Sequence, residues 1–434
     1  MSEQPRQDAA LLLRRAGFTG TATEIDAAVA RGYDATVDLL VAPAAPDPGV
    51  AATPPPTLRV VGRGGPAGSP ERAAAGKDRA AQTRQLTTWW IARMTAAQAP
   101  LVEKLAWFWH THFATSVAKV REPALMLRQN ELFRAHGLDP FAGFTLAVAQ
   151  DPAMLVWLDA GKDKAGHPNE NFARELMELF TLGIGHYSET DVREAARAFT
   201  GWSYDRANDA FVVHARQHDA GAKTVLGSTG PLTGEDVVRL IVHREDSARW
   251  VLSRLWSRFG YPVTAADPVV DDLLPGYSPD AGLAPVLRAM FRHPAFRGRT
   301  AVEGLVKQPV EYVVSALRLL GVPAGGADVA LAGTLRSLGQ LPFAPPSVGG
   351  WPANRGWLSS ASSLARASFA ASVVRRADLS PVADAPVAAR VDAVAHQLGV
   401  ASWTTGTAAV LRASAADPGR LVTLALLAPE FVVN

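Results

Sequence analysis

Apolar residues recur at three- and four-residue spacing through most of the chain, and this spacing predicts helices. In residues 1–42, positions such as Leu11, Ile25 and Val37 alternate with polar ones, which indicates an N-terminal helical segment. No repeat of fixed period is present, so an α-solenoid is not expected. The pattern predicts a mainly α fold, a large multi-helical globular domain. Further helices are predicted at residues 77–119, 151–160, 168–182, 191–199, 234–258, 285–291, 309–320, 358–375 and 387–398.

Two parts of the chain depart from the helical pattern. The first, at residues 43–80, is rich in Pro, Gly and Ala, and this composition indicates a linker or long loop. The second is a predicted β insertion at about 205–228, where residues 211–214 and 224–226 are expected to be two strands of a small hairpin. The chain is predicted to begin with an N-terminal helical segment (1–42) and a Pro/Gly-rich linker or long loop (43–80). A helical core domain (81–375) follows, and a C-terminal helical segment (376–434) packs on that core.

The composition of the 434 residues narrows the chemistry. With 48% apolar and 19% charged residues, the chain is typical of a globular protein. The absence of cysteine excludes disulfides, iron–sulfur clusters and a cysteine nucleophile, so any divalent metal must take nitrogen and oxygen ligands. The net charge of +2 gives no reason to expect nucleic acid as a partner.

The hydropathy pattern also bears on location. No apolar stretch reaches the roughly 18 uninterrupted residues of a membrane span, so no membrane partner is expected. The first residues are polar, and Arg14 and Arg15 interrupt the apolar patch that follows. No signal peptide is therefore predicted, and a cytoplasmic location is expected.

The predicted helix 168–182 has the densest set of polar residues. Pro168 suits its first turn and Gly183 suits the position just past its end. At 100° per residue, Asn171, Arg174, Glu175 and Glu178 share one side. Glu175, at the edge of this polar arc, is expected to be the most buried of the four, and Arg174 is placed to pair with Glu178. The alternative is a solvated face with an ordinary salt bridge.

Two histidines, His110 and His112, stand in an aromatic segment. On a helix, residues two apart point about 200° apart, so the two imidazoles cannot share one site. His112 falls on the apolar side and is the predicted metal ligand, whereas His110 is predicted to lie on the surface or behind the ligands. The alternative is that His112 is a core histidine whose hydrogen bonds are satisfied.

Further polar residues lie in the turn-rich segment around the β insertion. His218 and Asp219, followed by Lys223, are candidates for metal binding, for acid–base chemistry or for capping a turn. In the predicted helix 191–199, an acid and a base repeat the pattern of helix 168–182. If the two helices pack antiparallel, these charges form a polar layer, and a structural network is the alternative to a functional one.

Several short segments together resemble one known family. The chain is similar to the domain-of-unknown-function 1800 (DUF1800) family over nearly its whole length. The segments that carry the resemblance are Leu11–Phe18, Glu103–Phe113, Asp151–Met154, Pro168–Gly183, Phe199–Trp202, His218–Asp219 with Lys223, Lys307–Glu311, and Gly350–Pro352 with Trp357. Many relatives are exported, so the missing leader is a departure from the family pattern. The resemblance implies that the polar positions which recur in the family contribute to function. In this chain they are His112, Asn171, Arg174, Glu175, Glu178, His218, Asp219 and Glu311.

These observations lead to two hypotheses. The first is a metal-dependent enzyme, a hydrolase or an oxidoreductase, in which His112, Glu175 and His218 bind a divalent metal or share acid–base work. Glu178 belongs to the same pocket, and Arg174 or Lys223 holds an anionic group of a small-molecule substrate. In a haem variant, one histidine is an axial ligand. The second hypothesis is a non-catalytic binding or scaffold protein, with a groove lined by some of the eleven tryptophans that holds a peptide or a glycan.

Overall fold

The protein is mainly helical. The computed structural model describes residues 3–43, 45–62, 64–325 and 331–433. In these residues the helices enclose one extensive hydrophobic core, and the strands form two small two-stranded sheets. The predicted mainly α class with a small β element is confirmed. Within the same residues, no helix is both long and apolar enough to cross a membrane.

The helices begin where the sequence supplies an N-cap or a proline. Proline occupies the first turn of many of them, where its missing N–H costs no hydrogen bond. The helices of the first part are α1 (Glu3–Ala16), α2 (Ala22–Arg31), α3 (Tyr33–Val41), α4 (Pro48–Ala52), α5 (Pro70–Ala96), α6 (Pro100–His112), α7 (Val117–Val120), α8 (Pro123–His136), α9 (Phe141–Ala149), α10 (Pro152–Trp157), α11 (Glu170–Glu175) and α12 (Glu189–Phe199). A π-helical turn, Leu176–Thr181, continues α11.

The helices of the second part follow the β insertion. They are α13 (Gly234–Val242), α14 (Glu245–Phe259), α15 (Pro268–Leu273), α16 (Ala284–Arg292), α17 (Arg299–Val302), α18 (Pro309–Leu319), α19 (Leu331–Ser337), α20 (Ser360–Val374), α21 (Ser380–Ala383), α22 (Arg390–Leu398), α23 (Thr405–Ala413), α24 (Pro418–Leu427) and α25 (Pro429–Val432). Short 3₁₀ turns lie at Ala160–Lys162, Ala215–Gln217, Leu274–Gly276, Pro294–Arg297, Asn354–Trp357 and Val387–Ala389.

The predicted loop 43–80 is too long, because α5 begins at Pro70. Ser69 caps this helix by accepting a hydrogen bond from the N–H of Arg72 at 3.2 Å. The short helix α4 also lies inside the predicted loop. The rest of the segment is held against the core, since the indole of Trp89 donates to the carbonyl of Thr53 at 3.1 Å. Ser69 and Pro70 favour the start of a helix more strongly than the small and polar residues that follow oppose one.

The predicted hairpin between residues 211–214 and 224–226 is wrong. Strand β1 (Trp202–Asp205) pairs antiparallel with β2 (Ala210–Val213), and β3 (Lys223–Val225) pairs with β4 (Ser228–Gly230). Each strand therefore pairs with its nearest neighbour in sequence, across a short turn. The partner strands were missed because 202–205 and 228–230 are only four and three residues long, too short for an alternating pattern to stand out.

The C-terminal residues pack against the centre of the molecule. Val306 forms an isolated antiparallel bridge with Val433, and the hydroxyl of Tyr312 donates to the carbonyl of Leu426 at 3.2 Å. From the N-terminal side, Ser315 donates to the carbonyl of Phe18 at 2.7 Å. Helix α18 is thus held by both ends of the chain.

Candidate functional site

Helix α6 is buried on all sides, and this determines the state of its two histidines. His112 is 4% exposed, and its Nε2 donates to the carbonyl of Phe180 at 2.8 Å. His110 is 1% exposed, and its Nε2 accepts from the N–H of Phe343 at 2.9 Å. The prediction that His110 lies on the surface is wrong, because aromatic rings such as Trp90 cover that side of the helix.

Burial also fixes the charge of both rings. The loss of solvation lowers the pKa of His110 and of His112 to about 3, so both are neutral at pH 7. Nδ1 of His112 has no hydrogen-bond partner. To bind a metal or a haem iron through Nε2, either ring would have to give up its hydrogen bond to the main chain.

The polar helix begins later than predicted and changes its geometry halfway. Asn169, not a residue before Pro168, is the N-cap, and its side chain accepts from the N–H of Asn171 at 3.1 Å. After Glu175 the helix widens into the π-helical turn and ends at Gly183, which has a φ of +84°. A rotation of 100° per residue no longer applies in the π turn, so the predicted arc fails beyond Glu175.

The predicted pair between Arg174 and Glu178 does not form. Arg174 instead pairs with Glu189 at 2.7 Å and with Glu170 at 3.2 Å. Glu178 accepts a hydrogen bond from the hydroxyl of Tyr187 at 2.6 Å. Glu175 is half-buried, and burial followed by the nearby charge of Glu178 raises the pKa of its carboxyl.

The loop at His218 forms a local network with α12. Asp219 accepts from Nε of Arg197 at 2.7 Å, and Nδ1 of His218 lies 3.0 Å from the carbonyl of Thr200. Lys223 is buried and donates to the carbonyls of Asp219 and Gly221. These contacts are those of a satisfied turn.

The predicted ligands do not converge. Among the described residues, no three His, Asp or Glu side chains are grouped so that they could hold a metal ion. His112, Glu175 and His218 are therefore not brought together in the way the metal hypothesis requires. Each has its own surroundings: the aromatic core for His112, the partly exposed helix face for Glu175 and the turn beside α12 for His218.

A different set of charged side chains does meet in a cavity. This basic cleft, as we call it, has a volume of about 280 Å³ and lies between α6, α14, α18 and the loop 349–354. Its charged residues are Arg15, Lys104, Arg254, Arg258 and Glu311. They come from four of the helices, and four of the five are cations.

Glu311 is the centre of the charges in the basic cleft. Its Oε1 accepts a hydrogen bond from Nζ of Lys104 and lies 3.1 Å from Nη2 of Arg258. Its Oε2 accepts from the N–H of Gln308 at 2.9 Å, as part of the capping of α18. The carboxylate of Glu311 therefore contacts two buried cations and also caps the start of α18.

Arg258 is incompletely satisfied. Its side chain is 8% exposed, and neither Nε nor Nη2 has a partner with hydrogen-bond geometry, although Nη2 is close to Glu311. Arg254, one helical turn earlier, is exposed and has its guanidinium 5.6 Å from the ring centre of Trp250. Arg15 donates to main-chain carbonyls, including that of Phe259 at 3.2 Å.

The pKa values in the basic cleft follow from this shared carboxylate. Burial raises the pKa of Glu311, but the charges of Arg258 and Lys104 outweigh burial and lower it to about 2. Burial lowers the pKa of Lys104 to about 8; Arg258 lowers it too, and Glu311 partly opposes the shift. Burial likewise lowers the pKa of Arg15, to about 9.

The loop 349–354 closes one side of the basic cleft. Gly350 has a φ of +81°, and a Cβ at this position would lie 2.7 Å from the carbonyl oxygen of Thr111. The glycine therefore allows the loop to approach α6 and places Trp351 on the cleft, 5.6 Å between ring centres from Trp107. Any larger residue at position 350 would push the loop away.

Sequence reasoning missed most of this cleft. The signal was present in three segments of the family resemblance, which contain Arg15, Lys104 and Glu311 and which the fold brings together. Arg254 and Arg258 are spaced four apart on α14, so they share a face, but no motif marks them. Arg254 of the cleft also acts on a residue of the predicted site, since its positive charge helps to lower the pKa of His112.

The comparisons with known proteins place the chain in one family. No curated protein and no protein of solved structure is significantly similar to it. The family described as "Protein of unknown function (DUF1800)" matches residues 11–433, which is nearly the whole chain. The protein therefore belongs to the DUF1800 family.

Proposed function

We propose that this protein binds a small anionic compound, with a carboxylate or phosphate group, in the basic cleft. The observation that carries the proposal is Arg258, a cation whose side chain is more than nine-tenths buried and whose Nε and Nη2 lack hydrogen-bond partners. A buried guanidinium is costly unless its N–H groups are paired, and an anion supplies both acceptors and charge.

The other buried ion cluster on α6 provides a contrast. There Glu103 receives Nη2 of Arg134 at 2.9 Å and the indole of Trp90 at 3.1 Å, and Arg134 also donates to Asn130 at 2.8 Å. Every group of that arginine that is buried finds an acceptor, as expected of a structural network. Arg258 has no such set of acceptors, and this difference from Arg134 supports a ligand-binding role for its guanidinium.

Several uncharged polar atoms of the basic cleft already have partners. The side-chain oxygen of Gln308 accepts from Trp107 at 3.0 Å, and the amide of Asn354 bridges Gly304 and Val306. The guanidinium of Arg258 therefore remains as a charged donor for a ligand. With a volume of about 280 Å³, the cleft suits a small molecule.

Binding of oxalate and of phosphate, measured by titration calorimetry, tests the proposal. We expect Arg258→Gln to weaken binding about 10- to 100-fold, since one or two charge-assisted hydrogen bonds are lost. Arg258→Lys keeps the charge but not the planar fork, so it should weaken binding less.

Arg249→Gln is the matched control, because Arg249 lies on the same helix and pairs outside the cleft with Glu245 and Asp271. Equal affinity in Arg258→Gln and wild type would contradict the proposal. Absence of binding of either anion to wild-type protein would also contradict it.

The hypotheses drawn from the sequence stay predictions. They are a metal-dependent hydrolase or oxidoreductase, its haem variant, and a scaffold with a peptide or glycan groove. An anion in the basic cleft is compatible with an enzyme whose substrate is an acid and equally with a binding protein.

A further inference from the structure

Among the residues that the structure describes, Lys104 is the one whose amine lines the basic cleft. The chain has seven lysines, and the other two that are buried point their Nζ atoms at main-chain carbonyls outside the cleft: Lys223 at Gly221 and Lys307 at Phe431. Lys104 instead pairs with the side chain of Glu311. Its amine therefore faces the space in which the arginines would hold a ligand.

The distance between Lys104 and Arg258 limits the kind of ligand that could contact both. Nζ of Lys104 and Nη2 of Arg258 approach the same oxygen of Glu311, so the two nitrogens are at most about 6 Å apart. A 2-oxo acid carries its carbonyl carbon directly beside its carboxylate. When its carboxylate is bound by Arg258, its carbonyl carbon lies within reach of the amine.

We propose that Lys104 forms an imine with a 2-oxo acid whose carboxylate is bound by Arg258, an inference that rests on the anion site proposed above. The neutral amine adds to the carbonyl carbon, forming the N–C bond while the proton of the amine passes to the carbonyl oxygen. The resulting carbinolamine takes a proton from solvent and loses water, leaving a protonated C=N bond. No oxidant or reductant is required.

The surroundings favour each stage of this reaction. Burial and the neighbouring guanidinium lower the pKa of Lys104 to about 8, so about half of the amine is neutral at pH 8. A desolvated lysine beside another cation is an established way to activate an amine. The protonated imine carries the same charge as the ammonium that it replaces, so the ion pair with Glu311 is preserved.

Reductive trapping tests the inference. The full-length protein is incubated with millimolar pyruvate or 2-oxoglutarate and cyanoborohydride at pH 8, and intact mass and peptide mapping locate the product. We expect one stable adduct per chain, on Lys104, formed faster as the pH rises from 7 to 9 and suppressed by excess oxalate. Lys104→Arg keeps a cation beside Glu311 but has no amine, so it should form no adduct, whereas Arg249→Gln, outside the cleft, should form the adduct as wild type does.

The outcomes separate this inference from the proposed function. Oxalate binding without an adduct on Lys104 would overturn the imine and leave the anion site intact. Adducts spread evenly over the exposed lysines, such as Lys77 and Lys162, would overturn it as well. If wild-type protein binds neither oxalate nor phosphate and forms no adduct, both proposals fail.

Discussion

Lys104 and Arg258 share a single counter-charge, because both cations approach Oε1 of Glu311 in the basic cleft. Two buried cations on one carboxylate leave positive charge unbalanced beside a cavity. Helices α6, α14 and α18 supply the three side chains, so the arrangement exists only in the folded protein.

Glu311→Gln should destabilise the fold strongly. The amide can still cap α18, but Lys104 and Arg258 lose their shared counter-charge in a buried site. Breaking such a network typically costs about 3–5 kcal/mol of unfolding free energy. Urea denaturation at pH 7 measures the loss. The exposed Glu303→Gln, which removes only a surface pair with Arg299, should change stability by less than about 0.5 kcal/mol. Similar small losses in both variants would show that the buried pair carries little energy.

His112→Gln should reduce the sensitivity of the fold to acid. Burial holds the pKa of His112 at about 3, against about 6.5 in the unfolded chain. As the pH falls below 6.5, the unfolded chain takes up a proton that the folded protein does not. The free energy of unfolding therefore decreases by about 1.4 kcal/mol per pH unit through this group. Glutamine can still donate to Phe180.

The measurement is urea denaturation at several values between pH 5 and 6.5. The slope against pH should be about 1 kcal/mol per unit smaller in His112→Gln than in wild type, because near pH 6.5 the unfolded imidazole is only half protonated. The exposed His136→Gln is the control for the removal of an imidazole from the surface. An unaltered slope in His112→Gln would mean that His112 takes up its proton in the folded state.

Asp151→Asn should change the same slope in the opposite direction. Burial raises the pKa of Asp151 to about 7, so between pH 4 and 7 the folded state keeps a proton that the unfolded chain has lost. Stability contributed by this group therefore decreases as the pH rises. Asparagine does not titrate, and its oxygen can still accept from Met154 and Gln129. The variant should gain stability relative to wild type as the pH rises from 5 to 7, and parallel curves would contradict the prediction.

The hypothesis of a metal-dependent enzyme has its own test. It predicts close to one equivalent of metal in protein purified without a histidine tag, and loss of that metal in His112→Ala and in Glu175→Ala. Elemental analysis of the three proteins measures this directly. Metal-free wild type with normal folding would contradict a metal site at these residues.

The sequence predicted the helices well and the site only in part. Apolar spacing at residues 309–320 and 234–258 is strong, and helices α13, α14 and α18 lie there. Apolar spacing cannot reveal the π turn after Glu175, because the π turn depends on how the helix packs. It also predicted an exposed side for His110, because a helix that is buried all round has no polar face to indicate its burial.

The basic cleft was harder to predict for a different reason. Arg15 and Glu311 are almost three hundred positions apart, and Arg258 has no local motif, so only the packing of α1, α14 and α18 brings them together. The family resemblance marked Glu311 as a polar position, but its partners could not be identified from one sequence. Charged residues on one helix usually indicate a solvated face, and here they line a cavity instead.

Both proposals depend on the binding of an anion at Arg258, which an anomalous-difference map of crystals containing selenate would detect. We expect a selenium peak in the basic cleft within hydrogen-bond distance of the Arg258 guanidinium, and we expect the peak to disappear in crystals of Arg258→Gln. A wild-type cleft without a peak, in crystals that bind selenate at other arginines, would contradict it.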